Sequence, residues 1–205
     1  MKKRIITVSR EFGSGGRTIG KTVAERLEVP CYDKELVEQV ALESGFDPKY
    51  IEERGESAPG KNRFAYAFLG RGVPGAMGGM SAADFLWTIQ YRVIQSLAEK
   101  GPCVIVGRCA DFILRERQDC LHTFIHASVP FRADRIVRLY GESEKSPEKR
   151  LADKDTRRRV SYKHYTDREW GMAQNYHLTL DSGELGIDRC VDIILSVAQA
   201  DYPEK

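Results

Sequence analysis

The chain has little of what marks a secreted, zinc-bound or membrane-spanning protein. It has only four histidines, and five cysteines, Cys31, Cys103, Cys109, Cys120 and Cys190, that are odd in number, scattered and without a C-x-x-C pair. That usage argues against a disulfide framework or a zinc site and predicts reduced, mostly buried thiols. No apolar run reaches transmembrane length, and the basic start at residues 1–4 leads into a short strand rather than a signal-peptide core. A formal net charge of +2 is too mild to make nucleic acid or a membrane surface the main partner, so anionic ligands must be held by local clusters. The expectation is a cytoplasmic protein, its oligomeric state left open. A length of 205 residues suits one α/β domain with an inserted or appended substrate lobe.

Glycine is not scarce, and its placement organises the rest. Residues 5–28, IITVSREFGSGGRTIGKTVAERLE, read as an apolar strand, a glycine-rich turn and a helix that begins where the glycines end. Backbone N–H groups of Gly13, Ser14, Gly15 and Gly16 are expected to converge on one anion, because glycine adopts unusual dihedrals and permits close approach. The helix adds its unpaired first-turn N–H groups and positive dipole end. Thr18, one turn in, has a hydroxyl suited to a phosphate-bound magnesium ion. A tight strand-to-helix turn without a ligand is the alternative.

Two registers of the phosphate-loop pattern compete. The literal motif G-x-x-x-x-G-K-[ST] runs from Gly15 to Gly20, Lys21 and Thr22, but it leaves little helix before Pro30. A shifted register places the turn directly after Ser9 and starts the helix near Arg17, with Ile19, Val23, Ala24 and Leu27 as its buried stripe. At about 100° per residue, Lys21 then points to solvent. The motif's lysine position falls on Gly16, and Arg17 is its nearest cation.

Further along, a short strand over residues 29–32 ends at Asp33, followed by a helix over 34–44. Asp33 is placed either to orient a ligand at the carboxyl edge of a sheet or to cap that helix. Residues 45–81 are rich in glycine and read as a lobe beside the site or as an insertion; Phe64, Tyr66 and Phe68 there either stack on a base or form a small core. Residues 81–100 are helical, with Ser81 as N-cap, Phe85, Ile89, Val93, Ile94 and Leu97 on the buried face, and Gln90 and Arg92 away from it. The apolar run 103–106 predicts a central parallel strand that delivers Gly107 and Arg108 to the ligand edge, where Arg108 holds either a phosphate or a structural acid. His122 and His126, in the next strand, read as packed or edge residues. A helix over 130–140 precedes the charged run 142–168, with Lys154, Arg157, Arg158, Arg159, Lys163 and Arg168. That run is either a solvated helix face or a cationic lid whose charges repel one another until phosphate arrives.

Taken together, VSREFGSGGRTIGK, YDKELV, VIVGR, RRRVSYKHYTDREWG and NYHLTLDSGELGID resemble the bacterial cytidylate kinase-like family, relatives of nucleoside monophosphate kinases. The resemblance implies an α/β, three-layer P-loop kinase core with a parallel five-stranded sheet. It divides the chain into a core (1–33, 101–141 and 171–205), a helical NMP-binding lobe near 34–100 and an arginine-rich lid near 142–170. It assigns Gly13, Ser14, Gly15, Gly16, Arg17 and Thr18 to the donor phosphates of ATP, with Thr18 on Mg2+, and Asp33, Arg92 and Arg108 to the acceptor. Arg157 and Arg158 in the lid, with Arg17 at the loop, are the catalytic cations. The chain departs from the family pattern at Gly16 (the loop lysine), at Cys109 (the acid after Gly-Arg), and at Met172 and His177.

The function expected is transfer of the ATP γ-phosphoryl group to a nucleoside monophosphate, CMP or dCMP, by positioning and charge neutralisation. Two alternatives stand beside it. One is a nucleotide or phosphate sensor with little transfer activity, favoured by the missing lysine; the other is a kinase for a non-nucleotide acceptor, which Cys109 allows.

Overall fold

The run IITVSR is β-branched and apolar enough to be covered on both faces, and it forms the middle strand of the molecule. The structure, a computed structural model, describes residues 3–54 and 81–201. In it β1 (Ile5–Arg10) is buried throughout and pairs in parallel with β3 (Cys103–Val106) on one side and β4 (Cys120–His126) on the other. The short β2 (Cys31–Tyr32) adds to β3 and β5 (Leu178–Asp181) adds to β4, giving a five-stranded parallel sheet of order β2-β3-β1-β4-β5.

Alternation along the strands divides the core into two layers. Ile6, Val8, Val104, Val106, Leu121 and Ile125 pack on one face against α1 (Gly16–Leu27) and α9 (Ile187–Gln199). Ile5, Cys103 and Ile105 pack on the other against α2 (Lys34–Ser44), α3 (Pro48–Arg54), α4 (Ala82–Lys100) and α5 (Ala110–Ile113). Each fully buried isoleucine contributes about 1.5–3 kcal/mol. The fold is therefore the α/β P-loop kinase arrangement, with three layers around one sheet.

Beyond β4, α6 (Val129–Tyr140) and α7 (Pro147–Thr166) start at serines, Ser128 and Ser146, whose hydroxyls accept from N–H groups of the first turn. They meet over a satellite cluster of Ala133, Ile136 and Leu151, with Phe12 of the glycine turn packed against it. A 3-10 turn (Ala173–Asn175) leads into β5, and α8 (Ser182–Leu185) joins β5 to α9. Ser81 caps α4 through Asp84 N–H at 3.1 Å, as expected. Phe64, Tyr66, Phe68 and most of the glycine-rich stretch lie outside the described residues. The topology brings the carboxyl ends of β1, β2, β3 and β4 to one edge, where open α/β sheets bind ligands.

Candidate active site

The turn after β1 is held rigid from beneath. Glu11 N–H donates to Ile125 O at 2.9 Å, and the Ser14 hydroxyl donates to Glu11 O at 2.9 Å and Ile125 O at 3.0 Å. Ser182 in turn donates its hydroxyl to Ser14 O. Ser14 is wholly buried and does not line the cleft above the turn, whereas Gly13, Gly15, Gly16, Arg17 and Thr18 do. Of the expected cradle, Ser14 is thus the inward-facing strut. Gly13 and Gly15 have φ of 83° and 85°, a conformation that costs glycine little, and α1 begins at Gly16 with its first-turn N–H groups at the cleft.

The shifted register describes this geometry. Ile19, Val23 and Ala24 are buried on α1, while Lys21 is 75% exposed and pairs with Glu25 at 3.9 Å. The cleft over the glycine turn is lined by Arg10, Arg17, Arg108, Arg135, Lys154, Arg157 and Arg158, with Glu11 and Asp33 as its acids. Such a concentration of positive charge over a helix N-terminus is suited to a polyphosphate. Arg17 Nε lies 2.7 Å from Asp33 Oδ2. Asp33 occupies the cap position of α2 but makes no side-chain cap bond; its carboxylate is given to Arg17 instead. The Thr18 hydroxyl accepts from Arg135 at 3.0 Å.

A second arm of the cleft opens toward β3. Gly107, Arg108 and Cys109 follow one another with φ of 75°, 58° and 55°; two non-glycine residues in the left-handed region store local strain of the kind found at functional sites. Arg108 is buried, donates to Ile51 O at 3.0 Å, and lines both arms. Its carbonyl accepts from Gln90 Nε2 at 3.1 Å. Asp111, also buried, accepts from Ser9 at 2.9 Å and Tyr162 at 2.7 Å. Burial pushes the Asp111 carboxyl up despite those donors. Trp87, Tyr162 and Trp170 complete this arm.

Helix α4 corrects one assignment. Its buried face includes Leu86, Ile89, Gln90, Val93, Ile94 and Leu97, so Gln90 belongs to the buried stripe and not away from it. Arg92, two residues and about 200° further round, is exposed and lines neither arm among the described residues. Gln90, not Arg92, is the α4 side chain hydrogen-bonded to the Arg108 turn.

The charged run 142–168 is mostly one helix, α7, and it lies docked on the core. Asp155 accepts from Phe12 N–H at 2.8 Å and from Arg132 at 2.6 Å. Arg158 donates to Arg10 O at 3.3 Å, and Tyr165 stacks on Trp87 with centroids 4.4 Å apart. The expectation of mutually repelling cations misses the interleaved acids: Lys145 pairs with Asp153 at 2.8 Å and Lys163 with Asp167 at 3.0 Å. Arg132 also approaches Glu11 at 3.3 Å. Burial, opposed by Arg132, raises the Glu11 carboxyl above its ordinary range.

Sequence reasoning missed Arg10, Arg132, Arg135, Asp111 and Tyr162. The available signal was the i, i+3 spacing of Arg132 and Arg135 on the helix that follows β4, which puts both on one face. Among the described residues no three carboxylates, cysteines or histidines gather into a metal cage. A divalent ion would therefore rest mainly on ligand phosphates, as magnesium commonly does, with the Thr18 hydroxyl and Asp33 carboxylate as nearby protein oxygens. Among the described residues no helix is long and apolar enough to cross a membrane.

A profile of the cytidylate kinase-like family matches residues 5–184. Among solved structures, an uncharacterized protein from Eubacterium ventriosum ATCC 27560 is 26% identical, with a TM-score of 0.69 over 94% of this chain and 96% of that one. A gluconokinase from Sinorhizobium meliloti 1021 is 16% identical, with a TM-score of 0.55 over 97% of this chain and 93% of its own. A shikimate kinase from Acinetobacter baumannii in complex with shikimate is also 16% identical, with a TM-score of 0.53 over 94% and 91%. These two share the fold. Among curated proteins, none matches.

Proposed function

Because the chain belongs to the cytidylate kinase-like family, we propose that it is an ATP- and magnesium-dependent phosphotransferase that passes the γ-phosphoryl group to CMP or dCMP. The observation that carries this reading is the cation-lined cleft over the glycine turn, which joins the second arm through Arg10, Arg108 and Arg158. A donor triphosphate lies on the turn and the first-turn N–H groups of α1, and an acceptor enters the arm beside Arg108. The Thr18 hydroxyl would help hold a magnesium ion on the donor phosphates, where the ion would supply charge neutralisation. Arg157 and Arg158 approach from α7 and stabilise the charge of the phosphoryl group in transit, while the docked helix keeps water out. No side-chain nucleophile is required.

A second reading keeps the phosphotransfer and changes the acceptor to a small non-nucleotide hydroxyl compound. Cys109, left-handed and half-buried beside Arg108, favours it, because it supplies no carboxylate at the position where the family carries an acid. The structural neighbours named for gluconate and shikimate phosphorylation share the fold only and lend it nothing more. A coupled assay of ATP consumption against CMP, dCMP, UMP, AMP, gluconate and shikimate tests both readings. Turnover confined to CMP and dCMP supports the first; turnover confined to a non-nucleotide supports the second. Tight ATP binding with no turnover on any acceptor sinks both and leaves a nucleotide sensor.

A further inference from the structure

Gly16 is a glycine without the usual backbone reason. It lies in the first turn of α1 outside the positive-φ residues, unlike Gly13 and Gly15. What its lack of a side chain permits is the passage of Arg10. A Cβ built at Gly16 would stand 2.9 Å from Arg10 Cγ and closer still to Arg10 Cβ. Arg10 is the last residue of β1 and only 8% exposed, yet it lines both arms of the cleft. In the shifted register the pattern G-x-x-x-x-G-K places its first glycine at position 10 and its lysine at position 16. The chain has arginine at the first and glycine at the second. Glycine and cation have changed places, and the contact between the two positions shows why the exchange works sterically: the stem of Arg10 fills the space a lysine stem would leave from Gly16.

We propose that Arg10 is the cation of the phosphate loop, bringing a guanidinium across Gly16 to the β- and γ-phosphates of the donor. This rests on the phosphotransferase reading and deepens it. The sequence neighbour Arg17 lies one residue beyond the lysine position and faces Asp33 at 2.7 Å. A guanidinium at this point offers two parallel donors to one phosphate where an ammonium offers a point charge.

The test measures binding of ATP and of inorganic tripolyphosphate by calorimetry, with thermal unfolding alongside. Arg10→Met keeps the aliphatic stem over Gly16 and removes the charge; it should weaken both ligands about 10- to 100-fold with an unfolding midpoint near that of the wild type. Arg10→Gly should lose binding similarly, and the exchange variant Arg10→Gly with Gly16→Lys should recover most of it. Recovery by exchange is not expected of a residue that only supports the fold. Unchanged binding in Arg10→Met, or a folded exchange variant no better than Arg10→Gly alone, overturns the assignment. Wild-type protein that binds neither ATP nor tripolyphosphate overturns the phosphotransferase reading itself.

Discussion

Tyr162 donates a 2.7 Å hydrogen bond to Asp111, joining the C-terminal part of α7 to a residue just beyond the strained turn that carries Arg108. Both groups are buried, and desolvation pushes the carboxyl and the phenol upward alike, so neither finds a cheap substitute in water. The position of α7 and the shape of the arm beside Arg108 are therefore tied at this contact.

Tyr162→Phe should expose that tie. Asp111 keeps Ser9 as a donor but loses the second, at a cost of about 1–3 kcal/mol for a buried acceptor left short. Thermal unfolding should fall accordingly, and amide exchange in Pro147–Thr166 should rise more than exchange in β1. Uniform exchange across the chain would mean that α7 is held by its other contacts, Asp155 foremost.

Lys21 and Arg17 distinguish the two registers of the loop. Lys21→Ala should change stability by a few tenths of a kcal/mol and leave ATP affinity alone, because the side chain is solvated. Arg17→Ala should weaken ATP measurably, since Arg17 lines the cleft, and it frees Asp33. A large loss from Lys21→Ala, with little from Arg17→Ala, would restore the literal motif.

Arg108→Ala should lower acceptor affinity by about 1.5–3 kcal/mol, the range for hydrogen bonds to charged groups, and ATP affinity by less, since Arg108 lines both arms. Gln90→Leu, which removes the bond to the Arg108 carbonyl, should move acceptor affinity in the same direction by less. Titrating each variant separately with CMP and ATP checks both. Equal losses for the two nucleotides would argue against an acceptor-side role.

His122 should make stability depend on acid. Its Nδ1 lies 2.8 Å from Thr7 Oγ1, its Nε2 is buried without a hydrogen-bond partner among the described residues, and its ring stacks on His177. Burial first, then His177, push it down to about 4. An unfolded chain titrates near 6.5, so between about pH 6.5 and 4 the unfolded state binds the proton and the folded state does not. Stability at this site is complete above that window and declines through it, by on the order of 3 kcal/mol at its lower end. Urea unfolding from pH 7.5 to 4.5 should show the decline, and His122→Gln should flatten it.

The sheet and loop register were readable because they rest on local pattern. The β-branched run 5–10 announces a strand covered on both faces, and the spacing of Ile19, Val23 and Ala24 sets the face of α1. The failures share a different physics. Gln90 was misplaced because the α4 stripe admits a polar member, whose amide is satisfied by a backbone carbonyl 18 residues away. Arg135 and Asp111 escaped notice because each reaches the cleft through a contact between elements far apart in sequence, such as Arg135 with Thr18, and Arg10 because it stands where the pattern has its first glycine. The docking of α7 by Asp155 and Tyr162 was hidden among its charges for the same reason.

The stack of Trp87 on Tyr165 gives the molecule a built-in optical reporter. The chain has only two tryptophans; Trp87 lies face to face with a ring of α7, and Trp170, just past the end of that helix, packs edge-on against Phe124 at 5.3 Å. All tryptophan emission thus arises where α7 meets the core. Movement of α7 would alter the polarity and quenching around both indoles, so any displacement of α7 on adding a ligand can be followed in the unlabelled protein by its intrinsic fluorescence.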